Sequence, residues 1–289
     1  MNNPLPAGAR IGLLAGNGNF PRLFARAAKQ AGFSIVAFAI NEETDPALAA
    51  EVESIHWIGV GQLRELLQLL AREGIRTAVM AGQIKHQRLF EPTAMDGELA
   101  QLLRQSADHR TDSILGAVAA RLAQSGIELI DSSLFLKELM PAAGVMTDCR
   151  PSPEQLQDVV FGAKIAAAIT ALDIGQTVVV KNKTVLSVEA IEGTDEAIRR
   201  GSQFGQGGAI VVKLSKPNQD MRFDIPVIGR RTIAALIEHS AALLAIEAEK
   251  TLFFDQEMVL AQANKHAICI MAIPRDFDAR VFSNGDTPT

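Results

Sequence analysis

Tyrosine is missing from this chain altogether, tryptophan occurs once, and cysteine only twice, at Cys149 and Cys269. The cysteines stand far apart, without a CxxC pair or a neighbouring histidine cluster, which argues against a disulfide framework and a structural zinc site and for a reducing cytoplasm. The five histidines, His56, His86, His109, His239 and His266, form no HExxH or HxH pattern, so a histidine-held metal is not expected. No serine sits in a GxSxG elbow and neither cysteine carries a nucleophile signature, which weighs against a covalent hydrolase. The glycine-rich run from Gly201 to Gly208 lacks the GK[ST] ending of a P-loop and reads as a turn. Basic residues are in deficit: 28 lysines and arginines face 33 aspartates and glutamates, a formal net charge of −5. Nucleic acid is therefore not the expected ligand, and an anionic ligand must meet local positive charge. Long apolar runs are lacking too. Ile35 to Ile40 and Ile268 to Ile273 are strand length, far short of the roughly 20 residues that cross a bilayer. Met1-Asn2-Asn3-Pro4 has neither the basic nor the apolar region of a signal peptide. A soluble protein, peripheral on a membrane at most, is the expectation.

What is present has the balance of a globular protein, 48% hydrophobic and 21% charged over 289 residues, enough for two domains with a core each. In the first half, short apolar runs alternate with amphipathic ones. Ile11 to Ala15, Ser34 to Ile40, Ile55 to Val60, Thr77 to Ala81 and Ile127 to Ile130 read as strands. Pro21 to Ala31, Gln62 to Arg72, Gly97 to Arg104 and Asp112 to Ala123 read as helices. Strand, helix, strand implies parallel pairing, hence a Rossmann-like domain over residues 1–140. Prolines and turn residues between Pro141 and Pro153 mark a boundary. Residues 141–289 predict a mixed α/β domain, with a hairpin closed at Lys181-Asn182-Lys183, an Ala-rich helix from Leu156 to Leu172, strands at Ala209 to Leu214, Ala242 to Glu247 and His266 to Met271, and helices from Asp195, Arg231 and Gln256. The fold class is α/β, a Rossmann-like domain with a parallel sheet followed by a mixed α/β domain.

Four segments carry candidate chemistry. Gly16-Asn17-Gly18-Asn19-Phe20-Pro21 follows the first strand and opens the first helix, where backbone N–H groups and the helix dipole favour an anion. Pro21 replaces the third glycine of a dinucleotide fingerprint, so a phosphate or nucleotide loop is expected, against a ligand-free tight turn. Gln83 and Lys85 sit at the carboxyl end of a parallel strand, where open α/β sheets bind ligands; on this segment alone a solvated loop lysine is the favoured reading of Lys85. In the second domain Glu192-Gly193-Thr194-Asp195 begins a helix, and one of Thr194 and Asp195 suits a helix cap. Lys181, Lys213 and Lys216 lie at strands or strand ends and are expected to line one positive mouth.

The most informative segment runs from Lys216 through Gln219, Asp220, Arg222 and Asp224 to Gly229. Read as an extended strand, it places Asp220, Arg222 and Asp224 on one face and Met221, Phe223 and Ile225 on the other. A guanidinium between two carboxylates suits phosphate chemistry: the arginine grips phosphate oxygens, and the carboxylates hold a divalent cation or orient a water. A surface salt-bridge ladder is the competing structural reading. Apolar surface for a lipid is expected on the helix Ile165 to Leu172 and the helix Ile233 to Leu244, against a plain core role for either.

Together these motifs, in this order, resemble the UDP-2,3-diacylglucosamine pyrophosphatases of lipid A biosynthesis, in the metal-dependent branch unrelated to the calcineurin-like phosphoesterases. The resemblance spans nearly the whole chain, and Arg222-Phe223-Asp224-Ile225-Pro226 is its most specific part. It implies hydrolysis of UDP-2,3-diacylglucosamine to 2,3-diacylglucosamine 1-phosphate (lipid X) and UMP at the cytoplasmic face of the inner membrane, by a Mg²⁺-dependent homodimer. It maps the family's essential carboxylate onto Asp224, with Asp220 and Arg222 as further catalytic candidates and Asp224 and Asp220 as metal ligands. Substrate contacts are expected from Gly16, Asn17, Gly18, Asn19, Phe20, Gln83, Lys85, Glu192, Gly193, Thr194, Asp195, Lys213, Lys216 and Gln219. A nicotinamide-dependent oxidoreductase and a non-catalytic nucleotide or lipid sensor are the alternatives. Both leave the row of Asp220, Arg222 and Asp224 without a role.

Overall fold

The computed structural model describes residues 5–6, 8–84, 95–105 and 111–279. The chain divides into two compact units: residues 1–136 with 220–224, and residues 137–219 with 225–289. Instead of a single crossing near residue 140, five residues of the later half group with the first unit.

In the first unit, β1 (Arg10–Ala15), β2 (Ser34–Ile40), β3 (Ser54–Ile58), β4 (Thr77–Ala81) and β5 (Glu128–Leu129) form a sheet in the order β3-β2-β1-β4-β5. Every pairing is parallel. Helices α1 (Phe20–Gln30), α2 (Leu63–Arg72), α3 (Gly97–Gln105) and α4 (Thr111–Gln124) accompany it. Strands covered on both faces read as continuous apolar runs, as the buried Ile35 to Ile40 does. The strand order reverses direction between β1 and β4, so the crevice beyond their carboxyl ends is where such a sheet takes ligands.

The second unit is built on a six-stranded sheet, β6 (Gly144–Val145), β13 (Cys269–Ile273), β11 (Leu243–Glu247), β9 (Ile210–Lys213), β7 (Thr177–Lys181) and β8 (Thr184–Val188), in that order. Strands β9, β11 and β13 run parallel, while β7 is antiparallel to both β9 and β8. Its two faces follow the period-2 rule of strands. Val179, Val211, Leu244 and Ile270 join one core cluster, and Val178, Val180, Ile210, Val212, Leu243 and Met271 the other, with Val159 and Ala163 of α5 (Pro153–Ala171). The remaining helices are α6 (Thr194–Gly205), α7 (Arg230–Glu238) and α8 (Gln256–Lys265). Helix α5 opens on a capping box of Ser152 and Gln155, with Pro153 in its first turn.

The hairpin expected at Lys181-Asn182-Lys183 is there. Asn182 and Lys183 both take positive φ, 50° and 55°, the backbone of the two-residue turn that matches strand twist. Neither is glycine, and the compensation comes from α5. Asp158, buried, accepts the N–H of Asn182 at 2.8 Å and of Lys183 at 2.7 Å. Asp158→Ala should therefore cost about 2 kcal/mol, since it removes the charged acceptor of two turn N–H groups. Urea unfolding checks this, and a loss below about 1 kcal/mol would count against the tether.

Two expectations are corrected. The segment from Lys216 to Gly229 is not one strand: it is a chain of turns, and only Val227–Ile228 (β10) is extended, pairing with Leu252–Phe253 (β12). Ile233 to Leu244 is a helix that ends at Glu238, a turn with Ser240 at φ 54°, and the first residues of β11. Ile233, Leu236, Leu243 and Leu244 are core, not lipid-facing surface. Both cysteines are free thiols. Burial pushes the Cys269 thiol up to about 12, so it stays protonated and is no nucleophile near neutral pH.

Candidate functional site

At the switch point of the first sheet, the loops after β1 and β4 are stitched together. Gly16 donates its N–H to the Ala81 carbonyl at 2.8 Å, Asn17 to that of Gln83 at 2.7 Å, and Gln83 back to that of Asn17 at 3.1 Å. A Cβ on Gly16 would lie 2.5 Å from the Gln83 carbonyl oxygen, so the glycine is required for this close approach whether or not a ligand is bound. Beyond the stitch, Gly18 and Asn19 are exposed, Phe20 is buried, and α1 starts with Pro21 in its first turn. The N-terminal amides of α1 thus stand at the carboxyl edge of the sheet, where an anion is favoured. Gln83 is exposed at the same edge, and Lys85 lies outside the described residues.

The five residues that return to this unit dock at the end of β5. Ser132, fully buried, donates its backbone N–H and its Oγ–H to the Met221 carbonyl, both at 2.9 Å. Phe223 packs against the cluster of Val36, Phe38, Leu66, Leu70, Leu122 and Leu129. Asp220 organises the turn: its carbonyl accepts the N–H of Phe223 at 3.2 Å and of Asp224 at 3.0 Å, and its Oδ1 accepts the N–H of Arg222 at 3.1 Å. The Arg222 guanidinium closes on the same carboxylate, Nε to Oδ1 at 2.9 Å and Nη2 to Oδ2 at 2.6 Å. The hydrogen bond from Arg222 holds the Asp220 carboxyl below the usual carboxylate range, and the carboxylate in turn raises the arginine. This bracket is therefore complete above the ordinary carboxylate pKa and is lost only as pH falls through the lowered one.

Asp220 and Arg222 are thus paired with each other within a turn. Asp224 follows the turn, half-buried, with its Oδ2 atom shielded from solvent.

In the second unit, the carboxyl ends of β9 and β11 carry a buried polar network. Lys213 is 7% exposed, and its Nζ donates to Thr194 Oγ1 at 2.7 Å. That hydroxyl donates onward to Glu189 Oε1 at 3.0 Å, and Gln176 N–H reaches Glu189 Oε2 at 3.3 Å. Thr194 is the first residue of α6, after Gly193 at φ 85°. A hydroxyl has one proton and two lone pairs, so Thr194 can link ammonium to carboxylate in this one sense only. Beside it, Glu247 Oε2 accepts both the N–H and the Oγ–H of Ser215 at 2.7 Å, and Arg275 Nη1 lies 3.3 Å from the same oxygen.

The other candidates have local partners. Lys216 Nζ pairs with Asp173 at 2.7 Å, and the Gln219 side chain accepts the Lys216 N–H at 2.5 Å. Glu192 meets Arg200 at 2.7 Å, and Asp195 meets the exposed Arg231 at 2.9 Å. Lys181 does not share a mouth with Lys213. It lies at the opposite end of the β7–β9 pair and donates to the carbonyls of Gly205 and Gly207, at 2.7 and 2.8 Å, closing the end of α6. Sequence reading missed Ser132, Glu247 and Arg275. Ser132 carries no motif, and nothing local announces a partner 89 positions away.

Among the described residues, no group of three or more His, Cys, Asp or Glu side chains is placed to hold a metal ion. With Asp220 committed to Arg222, the expected pair of Asp220 and Asp224 does not fit as a ready-made ligand set.

Comparison with known proteins gives a consistent family. Residues 10–139 match the model of the LpxI N-terminal domain and residues 142–271 that of the LpxI C-terminal domain. The UDP-2,3-diacylglucosamine pyrophosphatase LpxI of Caulobacter vibrioides is 28% identical over 274 residues, which cover 91% of this chain and 97% of that protein. Solved structures are more distant. The biotin carboxylase domain of Hydrogenobacter thermophilus 2-oxoglutarate carboxylase aligns at 16% identity and a TM-score of 0.26, over 60% of this chain and 35% of its own. N5-carboxyaminoimidazole synthetase from Staphylococcus aureus aligns at 16% identity and 0.27, over 63% and 41%. The chain spans well under half the length of these solved structures.

Proposed function

The chain belongs to the LpxI family, and from that premise we propose that it hydrolyses the pyrophosphate bond of UDP-2,3-diacylglucosamine to 2,3-diacylglucosamine 1-phosphate and UMP. The observation that supports the reading is the turn leading to Asp224, docked through Met221 on Ser132 just beyond the carboxyl end of β5. Pyrophosphate hydrolysis needs an oriented water, neutralised phosphoryl oxygens and a stabilised leaving phosphate. In this reading Asp224 orients the water, the loop Gly16 to Phe20 and the first amides of α1 hold a nucleotide phosphate, and Lys213 supplies a desolvated positive charge in its own unit. Asp220 and Arg222 are assigned to holding the turn and not to gripping phosphate. Mg²⁺ remains part of the proposal as an ion carried by the substrate pyrophosphate, with Asp224 as the protein carboxylate nearest its role; it would lower the negative charge on the phosphoryl oxygens.

The test is release of UMP and lipid X by the purified protein, followed by mass spectrometry, with Mg²⁺ or with EDTA. Turnover that EDTA abolishes supports both the reaction and its metal, and turnover that EDTA spares removes the metal alone. Absence of products with Mg²⁺, Mn²⁺ or Ca²⁺ would end the reading. A homodimer is proposed from the resemblance and is read by light scattering.

No described helix is long and apolar enough to cross a membrane. A substrate with two acyl chains nevertheless has to be reached at a bilayer, and we place the peripheral contact on the second unit. Leu172 and Ile174, entering β7, are 71% and 46% exposed, and Ile191, leaving β8, is 86% exposed. The hairpin brings the two runs together, with Glu189 N–H on the Thr177 carbonyl at 2.9 Å. Each buried methylene is worth about 0.8 kcal/mol, so three such side chains inserted in lipid give several kcal/mol. Leu172→Glu with Ile191→Glu should cut co-flotation with phosphatidylethanolamine–phosphatidylglycerol vesicles at least about 10-fold. Unchanged flotation would move the contact elsewhere.

A further inference from the structure

We infer that Ser132 is a positioning residue for the hydrolytic step, holding the turn that presents Asp224; the inference rests on the proposed role of Asp224. Ser132 is fully buried just beyond β5. Its main chain is fixed on both sides. Ile130 continues the ladder to the Ala78 carbonyl at 3.0 Å, and the Asp131 carboxylate accepts the N–H and Oγ–H of Ser133 at 2.7 and 2.6 Å. Ser132 spends both of its donors on one acceptor, the Met221 carbonyl. Such a doubled contact to a single main-chain oxygen anchors 220–224 to the body of the first unit.

The rest of the turn is held from within, by Asp220 on the N–H groups of Arg222, Phe223 and Asp224. Those bonds set the shape of the turn but not its place on the sheet. Phe223, whose apolar packing tolerates sliding, and Ser132, whose two hydrogen bonds do not, both hold it there. A misplacement of about 1 Å at a reacting group costs on the order of 10²-fold in rate, so loss of half the anchor is expected to act on kcat more than on binding.

Ser132→Ala removes the hydroxyl and keeps the N–H. The expected result is a fall in kcat of about 10-fold with KM within about twofold, while Ser132→Thr, which retains the hydroxyl, recovers most of the loss. In the Asp224→Ala background the same Ser132→Ala change should have no further effect, because it acts only through Asp224. Equal losses in both backgrounds, or an unchanged kcat in the folded Ser132→Ala protein, would overturn the inference. Should Ser132→Ala fail to fold, Ser132→Cys, close in volume and a weaker donor, takes its place under the same criteria. Wild-type protein that releases no UMP would refute the reaction itself. Wild-type turnover with an indifferent Ser132 refutes only the positioning role.

Discussion

Asp224→Ala should lower kcat for UMP release by at least about 100-fold, and Asp224→Asn nearly as much, while the melting temperature moves by only a few degrees. A group that orients or deprotonates water acts on the transition state, and loss of one such contribution costs about 3 kcal/mol or more. The structure separates this loss from a folding defect. Asp224 follows a turn whose hydrogen bonds run through the main chain and the side chain of Asp220, and which Ser132 and Phe223 anchor. Removing a half-buried carboxylate at the end of that turn leaves each of these contacts in place. The neighbouring aspartate gives the contrast. Asp220→Ala withdraws the acceptor of Arg222 and unlatches the turn, so it should lower activity together with local stability, read as faster hydrogen exchange across 220–224. If Asp224→Asn kept activity within a few-fold of wild type, the carboxylate charge would have no part in the reaction.

The same two aspartates show where the sequence was readable and where it was not. Apolar periodicity located the first sheet, and Ser34 to Ile40 and Thr77 to Ala81 fall on β2 and β4, because a buried parallel strand has to be a short unbroken apolar run. The hairpin was legible because Asn182 tolerates positive φ at low cost. The segment around Asp224 misled because Asp220, Arg222 and Asp224 alternate with Met221, Phe223 and Ile225 as a strand would. A carboxylate two residues before a donor also closes a side-chain turn, and here that local bond wins over the ladder. Its docking on Ser132 and the bond of Lys213 to Thr194 join separate segments and leave no local trace. The family motifs could point to Asp224, and strand placement to Lys213, but neither could say what holds the side chain.

Lys213→Met is expected to separate function from stability in the opposite sense to an ordinary core change. Lys213 is 7% exposed and, among the described residues, its ammonium bonds to a hydroxyl and not to a carboxylate. Burying a charge costs several kcal/mol, and a hydroxyl returns only part of it. A methionine of similar length should therefore leave stability unchanged or raise it by about 1 kcal/mol, because Thr194 keeps its bond to Glu189 when the lysine is gone. If the uncompensated charge is kept for a phosphoryl group, kcat/KM should fall about 30- to 300-fold, the order expected for a charge-assisted bond made in a dry site. Lys213→Arg should not restore it, since a planar guanidinium cannot reproduce a compact point charge at the end of β9. Thr194→Val should lose about 10-fold, by releasing the ammonium from its set position. Urea unfolding and steady-state kinetics on the same preparations decide the matter. A Lys213→Met protein that is less stable by several kcal/mol and fully active would make the lysine a structural element of the second unit, and the cation that meets the phosphate would have to be sought elsewhere.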